Sequence, residues 1–178
     1  MAELKDASVR FLHDVAQQEY ERELSRCTLI DSKVSIALPI VSAYFLSLTT
    51  QCAAIKSILN MPSDNIGGIV VCIFLLLLYF IALLFSGCAL YLFVRAISPQ
   101  NYQTIDPVFY YDEEFLQEED KVIITGVVQN RIKANYNNRA KNDKRMNWYS
   151  AGWFMSVISV MAYMAFALIT GIFMSGGI

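Results

Sequence analysis

The chain is poor in the residues from which metal sites, disulfide frameworks and catalytic centres are built. It has four cysteines and one histidine in 178 residues, and no two cysteines form a Cys-x-x-Cys pair. A zinc site or a histidine-based catalytic triad needs a denser set of ligands or bases. The sequence therefore predicts no metal, no cofactor and no catalytic residues, and we expect the protein not to be an enzyme. His13 is expected on an ordinary solvated helix face beside Arg10 and Asp14.

Phosphate-binding loops are also missing, because neither Gly-x-Gly-x-x-Gly nor Gly-x-x-x-x-Gly-Lys occurs. Charged residues make up only 17% of the chain and hydrophobic residues 56%. This composition favours an integral membrane protein over a soluble one. The N-terminal residues are charged and amphipathic, so we expect no cleavable signal peptide. We also expect no direct binding of nucleic acid.

Three long stretches without charged side chains predict three membrane-spanning helices. The longest, residues 66–94, runs for 29 residues, whereas about 20 apolar residues suffice to cross a bilayer. We therefore predict an all-α integral membrane protein, with a polar helix that begins near Asp112 and continues into the last span. The predicted order is a cytoplasmic amphipathic helix over 1–30, transmembrane helices over 31–56, 66–95 and 151–175, an outer loop over 57–65, and a cytoplasmic loop and helix over 96–150.

The basic residues are distributed very unevenly around the predicted spans. Thirteen of the 14 Lys and Arg residues lie in the N-terminal segment up to Lys33 or in residues 95–145, and only Lys56 lies at the far end of the first span. Because basic residues are enriched in cytoplasmic segments, we expect a cytoplasmic N-terminus, a cytoplasmic loop over 96–150 and a C-terminus on the outside.

A stripe of hydroxyl side chains marks the first predicted span. Ser35, Ser42 and Thr49 are seven residues apart, and Thr28 and Lys56 continue the repeat at either end, so all lie on one side of a helix. Small hydroxyl residues either allow close helix packing, with each hydroxyl bonded back to the carbonyl four residues earlier, or line a water-filled path. Both interpretations are open. Ser35, Ser42 and Thr49 are the predicted pore-lining residues, because no other span is expected to keep polar groups on one side.

A second polar pattern precedes the last span. Asn135, Asn138, Asn142 and Arg145 recur every three or four residues, so they share one face of a helix. Asparagine is unfavourable on a solvated helix surface, and we expect these side chains to find partners. With the basic Arg139 nearby, the patch could accept an anion such as a nucleotide phosphate, which makes Asn135, Asn138, Arg139 and Asn142 the predicted ligand-binding residues. The alternative is a polar network between helices.

Charged residues also lie where the first predicted span enters the membrane. Asp31 and Lys33 occupy this position, and charges at that depth are costly unless they are paired. We expect Asp31 to pair with Lys144 or Arg145, which enter the membrane from the same side. These four residues are the predicted polar coupling between the cytoplasmic helices and the membrane.

Two stretches together carry a resemblance to a known group of proteins. In EYERELSRCTLIDSKVSIAL an acidic and basic helix leads through Asp-x-Lys into a span, and in NNRAKNDKRMNWYSAGWF an Asn- and Lys-rich helix leads into the last span. Over residues 20–46 and 138–160 the chain resembles small multi-span bacterial defence effectors, the Pycsar-type transmembrane effectors and the related SLATT-like proteins. The resemblance implies a dormant oligomer of the bacterial inner membrane that disrupts the membrane when a cyclic nucleotide or another infection signal arrives. The resemblance extends to four individual positions, Asp31, Lys33, Asn142 and Lys144.

Two classes of function follow from these observations. The first is an oligomeric membrane effector of antiphage defence, pore-forming or membrane-disrupting and gated through its cytoplasmic helices. Its partners would be the lipid bilayer, further copies of the chain, and a nucleotide second messenger or a cytoplasmic defence protein. The second is a non-conducting accessory or scaffold subunit that anchors a cytoplasmic partner. A homo-oligomer is expected because three spans with a hydroxyl stripe and short loops make a poor self-contained bundle.

Overall fold

The computed structural model describes residues 2–51, 55, 56, 58, 66–98, 101–103 and 120–175. Its elements within these ranges are three long α-helices: α1 over Ala2–Thr49, α2 over Ile66–Ile97 and α3 over Asp120–Ser175. The predicted all-α class is confirmed for the described part of the chain. Each of the three helices contains a stretch long and apolar enough to cross a membrane.

Helix α1 joins the predicted N-terminal helix and the first predicted span into one helix of 48 residues. Its buried face is formed by Ile30, Val34, Ala37 and Val41, which follow one another at steps of three or four residues. Pro39 lies inside the helix on its exposed side. Since proline has no backbone N–H, one hydrogen bond of the helix is missing there.

The end of α1 differs from the prediction. The helix ends at Thr49, although residues 55 and 56, where the predicted span ends, are again helical. The hydroxyl of Thr49 donates to the carbonyl of Leu46 at 2.8 Å, and the amide of Gln51 donates to the carbonyl of Leu48 at 3.1 Å, three residues back instead of four. A β-branched residue whose hydroxyl competes for a helix carbonyl weakens the next helical turn, so the chain tightens into a turn at residues 50–51.

Helix α2 presents one narrow buried face, and its other sides are largely exposed. Small side chains make up much of this face and allow neighbouring helices to approach closely. The buried residues are Leu75, Tyr79, Ala82, Ser86, Ala89, Phe93 and Ala96.

Helix α3 is a single helix of 56 residues. The predicted continuity from the polar helix into the last span is therefore confirmed. The predicted start of this helix near Asp112 lies outside the described residues.

The chain divides into two compact units. One comprises Met1–Ser32 and Ser98–Met146 and is called the polar unit below. The other, called the apolar unit, comprises Lys33–Ile97 and Asn147–Ile178. Helices α1 and α3 contribute to both units, and α2 belongs to the apolar unit alone.

Within the apolar unit, α2 and α3 approach closely at Gly152. A Cβ atom added there would lie 3.0 Å from the ring of Phe93, which is fully buried. That ring also makes edge-to-face contacts with Tyr149 and Trp153, at centroid distances of 5.9 and 6.0 Å. A methyl group at position 152 would require the Phe93 ring, which these contacts hold in place, to shift by a few tenths of an ångström.

The outward surface of the apolar unit is mainly hydrophobic. Only 22%, 17% and 22% of the most hydrophobic stretches of α1, α2 and α3 are buried within the chain. Large apolar side chains such as Ile36, Phe80 and Phe154 are about two-thirds exposed, at 65%, 64% and 65%. Such an extensive apolar surface is unusual for a protein in water and is typical of helices that contact lipid.

Candidate functional site

The polar unit contains a buried network of polar side chains centred on Arg145, which is only 3% exposed. Its Nη1 atom donates to the hydroxyl of Tyr102 at 2.9 Å and to the sulfur of Cys27 at 3.2 Å, and its Nη2 atom donates to Oδ1 of Asp31. The predicted ion pair between Asp31 and Arg145 is thus present. Lys33 and Lys144, the other two residues of the predicted polar coupling, occupy exposed positions.

The electrostatics of the network keep both Arg145 and Tyr102 protonated. Burial alone would lower the pKa of Arg145, but its hydrogen bonds to Tyr102 and Asp31 and the charge of Asp31 outweigh burial and raise the pKa. Burial raises the pKa of Tyr102, and the neighbouring Arg145 offsets only part of that effect. The phenol is therefore neutral at physiological pH, so it keeps the proton that it donates within the network.

Asn142 is fully buried and uses its whole side-chain amide. Its Nδ2 atom donates to the backbone carbonyl and to Oε2 of Glu23, both at 2.9 Å. Its Oδ1 atom accepts from the hydroxyl of Tyr102 at 2.7 Å. Asn142 thereby links Glu23 of α1 to Tyr102, which in turn contacts Arg145.

Residues 101–103 bind along α3 through Asn137 and Asn138. The Oδ1 atom of Asn138 accepts from the backbone N–H of Gln103 at 3.0 Å, and its Nδ2 atom donates to the backbone carbonyl of Gln103 at 3.1 Å. Asn137 donates to Oε1 of the same glutamine at 2.7 Å. Lys141 donates to the backbone carbonyl of Asn101.

The structure does not bring the four predicted ligand-binding residues together as an open anion site. Asn142 bonds to Glu23 of α1, which matches the alternative prediction of a polar network between helices, whereas Asn138 bonds to the backbone of Gln103 outside the helices. Arg139 is exposed, because each helical residue rotates by about 100° and position 139 leaves the shared face. Asn135 has a buried Oδ1 atom for which the described part of the chain offers no hydrogen-bond partner.

The expectation that His13 lies on an ordinary solvated face is wrong. Its Nε2 atom accepts a hydrogen bond from Nη1 of Arg131 at 2.7 Å, in addition to its contact with Asp14. This bond requires the ring nitrogen to be unprotonated. His13 therefore joins α1 to α3, a role that the neighbouring residues in sequence did not indicate.

The hydroxyl stripe of α1 lies mostly at the surface of the chain. Ser35 and Thr49 are exposed and Ser42 is half-buried. The hydroxyl of Ser42 donates to the carbonyl of Leu38 at 2.7 Å, the predicted bond to the residue four positions earlier. Thr49 bonds three positions back, to Leu46. The hydroxyl donors at Ser42 and Thr49 are thus satisfied, while much of the stripe has no cover within the described chain.

The expectation that α1 alone among the spans keeps polar groups on one side is wrong. Helix α3 buries Ser156, Ser159 and Thr170, which are spaced so that they face the interior of the apolar unit. Ser159 donates to the backbone carbonyl of Ala82 at 2.6 Å, and the hydroxyl of Tyr79 donates to the carbonyl of Leu48 at 2.6 Å. In a bundle with lipid outside, polar side chains gain more from contacts with other helices than from the surface.

Comparison of the chain with protein-family profiles, with curated proteins and with solved structures finds no match. The class of the protein is therefore defined by its own fold, which over the described residues is all-helical, with three helices long and apolar enough to cross a membrane.

Proposed function

We propose that the chain is an oligomeric membrane effector of antiphage defence that forms a pore or disrupts the bilayer and is gated through its polar unit. The bacterial inner membrane is its location in this proposal. A nucleotide second messenger or a cytoplasmic defence protein delivers the signal. The observation that carries the proposal is the exposed hydroxyl stripe of α1.

The stripe supports assembly because it is the polar part of an otherwise apolar outer surface. Ser35 and Thr49 are exposed, next to large exposed side chains such as Ile36 and Leu46. Small hydroxyl residues are enriched where membrane helices pack closely, and a hydroxyl bonded back to its own helix still has acceptor capacity. A neighbouring copy that covers the stripe would bring several such helices together, and water could follow their hydroxyl groups.

The distribution of charge supports the orientation. Thirteen of the 14 basic residues lie in or next to the polar unit. Under the positive-inside rule the polar unit faces the cytoplasm, where an infection signal would arrive, and the C-terminus lies outside.

The continuity of α1 supports gating. The helix carries Glu23 and Asp31 of the buried network as well as Ser42 and Thr49 of the stripe. In this proposal α1 is the helix through which a signal received at the network residues acts on the stripe.

A second candidate function is a non-conducting scaffold subunit that anchors a cytoplasmic partner. The back-bonded hydroxyls of Ser42 and Thr49 favour it, since their donors are satisfied without water. In this alternative the stripe serves only for close packing between helices.

Dye uptake by infected cells separates the two functions. Bacteria that produce the chain are challenged with phage, and entry of a membrane-impermeant dye is followed. We expect uptake with the wild type and none with Ser42→Leu, while expression and oligomer size are unchanged. Thr49→Val keeps the side-chain volume and removes only the hydroxyl, so it tests polarity without added bulk.

Ile36→Leu is the matched control, because it changes an exposed apolar residue of the same helix without altering a hydroxyl group. It should leave uptake at the wild-type level. If Ser42→Leu cells take up dye as wild-type cells do, the stripe does not line the path. A wild-type chain that never admits dye would leave the scaffold function as the better account.

A further inference from the structure

The bonds that Asn138 makes to Gln103 have the pattern of peptide recognition. In a hydrogen-bonded pair of antiparallel strands, the N–H and the C=O of one residue both bond to the facing residue. The side-chain amide of Asn138 meets both groups of Gln103, at 3.0 and 3.1 Å, as the facing residue of a second strand would. Asn138 therefore binds the main chain of this segment whatever the side chain at position 103.

The neighbouring contacts add side-chain selectivity. The hydroxyl of Tyr102 lies between Oδ1 of Asn142 and Nη1 of Arg145, at 2.7 and 2.9 Å. Nζ of Lys141 lies 5.9 Å from the centre of the Tyr102 ring, within the range of a cation–π contact. The site thus selects a tyrosine side chain, because it binds both the aromatic ring and the hydroxyl at its end.

We infer that Asn138, Asn142 and Arg145 form a recognition site for an extended tyrosine-containing peptide, which the chain fills with its own residues 101–103. The partner that fits is another polypeptide segment of the Asn-Tyr-Gln type. The inference concerns the polar unit alone and does not rest on the proposed membrane activity.

The site residues are more deeply buried than the segment they bind, which supports the view that the segment binds like a ligand. The three residues of the site are 1%, 0% and 3% exposed, whereas Asn101 and Gln103 are themselves exposed. If the segment leaves, Asn142 keeps Glu23 and Arg145 keeps Asp31, so these side chains stay in place while the groups that held the segment become open to another chain. The vacated site would therefore favour any peptide that supplies the same groups.

A binding measurement tests this inference on the full-length protein in detergent. The probe is a fluorescein-labelled peptide of residues 98–105, and its anisotropy is followed against the wild type and Tyr102→Ala. We expect binding to Tyr102→Ala to be at least about tenfold tighter, because the wild-type site is already filled. A peptide with Phe in place of Tyr should bind at least about tenfold more weakly, since two hydrogen bonds to buried groups are missing.

A cross-link tests the position of the peptide. The side-chain tips of Asn137 and Gln103 are 2.7 Å apart, and the shorter Cys side chains at these positions would lie too far apart for a direct disulfide. A short bis-maleimide linker should therefore join a peptide with Cys in place of Gln103 to the Asn137→Cys chain whose own segment carries Tyr102→Ala. Arg139→Cys, at an exposed position off this face, is the matched control and should react much less. Gln103→Pro, which removes the backbone N–H that donates to Asn138, is a second vacating variant, for use if Tyr102→Ala fails to fold.

Two results would overturn the inference. One is the absence of peptide binding to every folded vacated variant. The other is equal binding of the Tyr and Phe peptides, or equal cross-linking at positions 137 and 139, because either would mean that the contact lacks the specificity of the site.

Discussion

Replacement of Asn142 should expose how strongly the buried network holds the polar unit. Its side chain is fully buried and makes three hydrogen bonds of 2.7 to 2.9 Å, two to Glu23 and one to Tyr102. A hydrogen bond contributes about 0.5 to 1.5 kcal/mol net, and more when its loss leaves a buried group without a partner. Asn142→Ala should therefore reduce the free energy of unfolding by about 2 to 4 kcal/mol.

Asn142→Asp tests the orientation of the amide. It keeps the shape of the side chain but puts a second oxygen in the place of Nδ2, which faces the carbonyl and the carboxylate of Glu23 at 2.9 Å. Two acceptors, one of them charged, would then meet a new negative charge. We expect this near-isosteric change to destabilise the protein more than Asn142→Ala does at neutral pH.

The free energy of unfolding can be measured by SDS titration in mixed micelles, with circular dichroism as the readout. Asn137→Ala serves as the control, because Asn137 makes its bond to an exposed glutamine side chain, and it should change stability by less than about 0.5 kcal/mol. The reasoning fails if Asn142→Ala is as mild as this control, or if Asn142→Asp is as stable as the wild type.

Three further predictions concern other parts of the chain. Gly152→Ala should cost about 1 to 3 kcal/mol because of the 3.0 Å approach to Phe93, whereas Gly171→Ala, with nothing within 4 Å, should be neutral or slightly stabilising in the same titration. Burial raises the pKa of Tyr102, so folding keeps the phenol protonated; relative to Tyr102→Phe, the wild type should hold constant stability below about pH 10 and lose it above, in a pH series of unfolding curves. A cysteine at Gln129 should be labelled only after the membrane is permeabilised, and labelling from outside intact cells would reverse the proposed topology.

The helical class and the long continuous helices could be predicted because they depend on local properties. A run of 29 uncharged residues can satisfy its backbone in lipid only as a helix or in a closed barrel, and its length suits a helix. The pairing of Asp31 with Arg145 could be predicted for a related reason, since both flank spans on the side of the basic residues.

Contacts could not be predicted for residues that belong to no sequence repeat or whose residue type fits two structural roles. Tyr102 follows a loop-like stretch, and nothing in its spacing indicates that its hydroxyl reaches Asn142. A glycine such as Gly152 can serve flexibility or close packing, and only the position of Phe93 decides between them. Hydroxyl residues are ambiguous for a further reason. Because Ser and Thr can bond back to their own helix, Ser42 and Ser159 look alike in sequence although one is half-buried and the other is fully buried.

The bonds inside the apolar unit restrict how its helices can move. The hydroxyls of Tyr79 and Ser159 each donate to a backbone carbonyl of a neighbouring helix, on Leu48 and Ala82. A carbonyl one helical turn further along lies about 5.4 Å away. A sliding step of one helix past another must therefore break these bonds, whose donors Tyr79 and Ser159 are buried. These bonds thus hold the three helices in axial register. A conformational change would tilt or rotate them together and would not slide one of them along its axis.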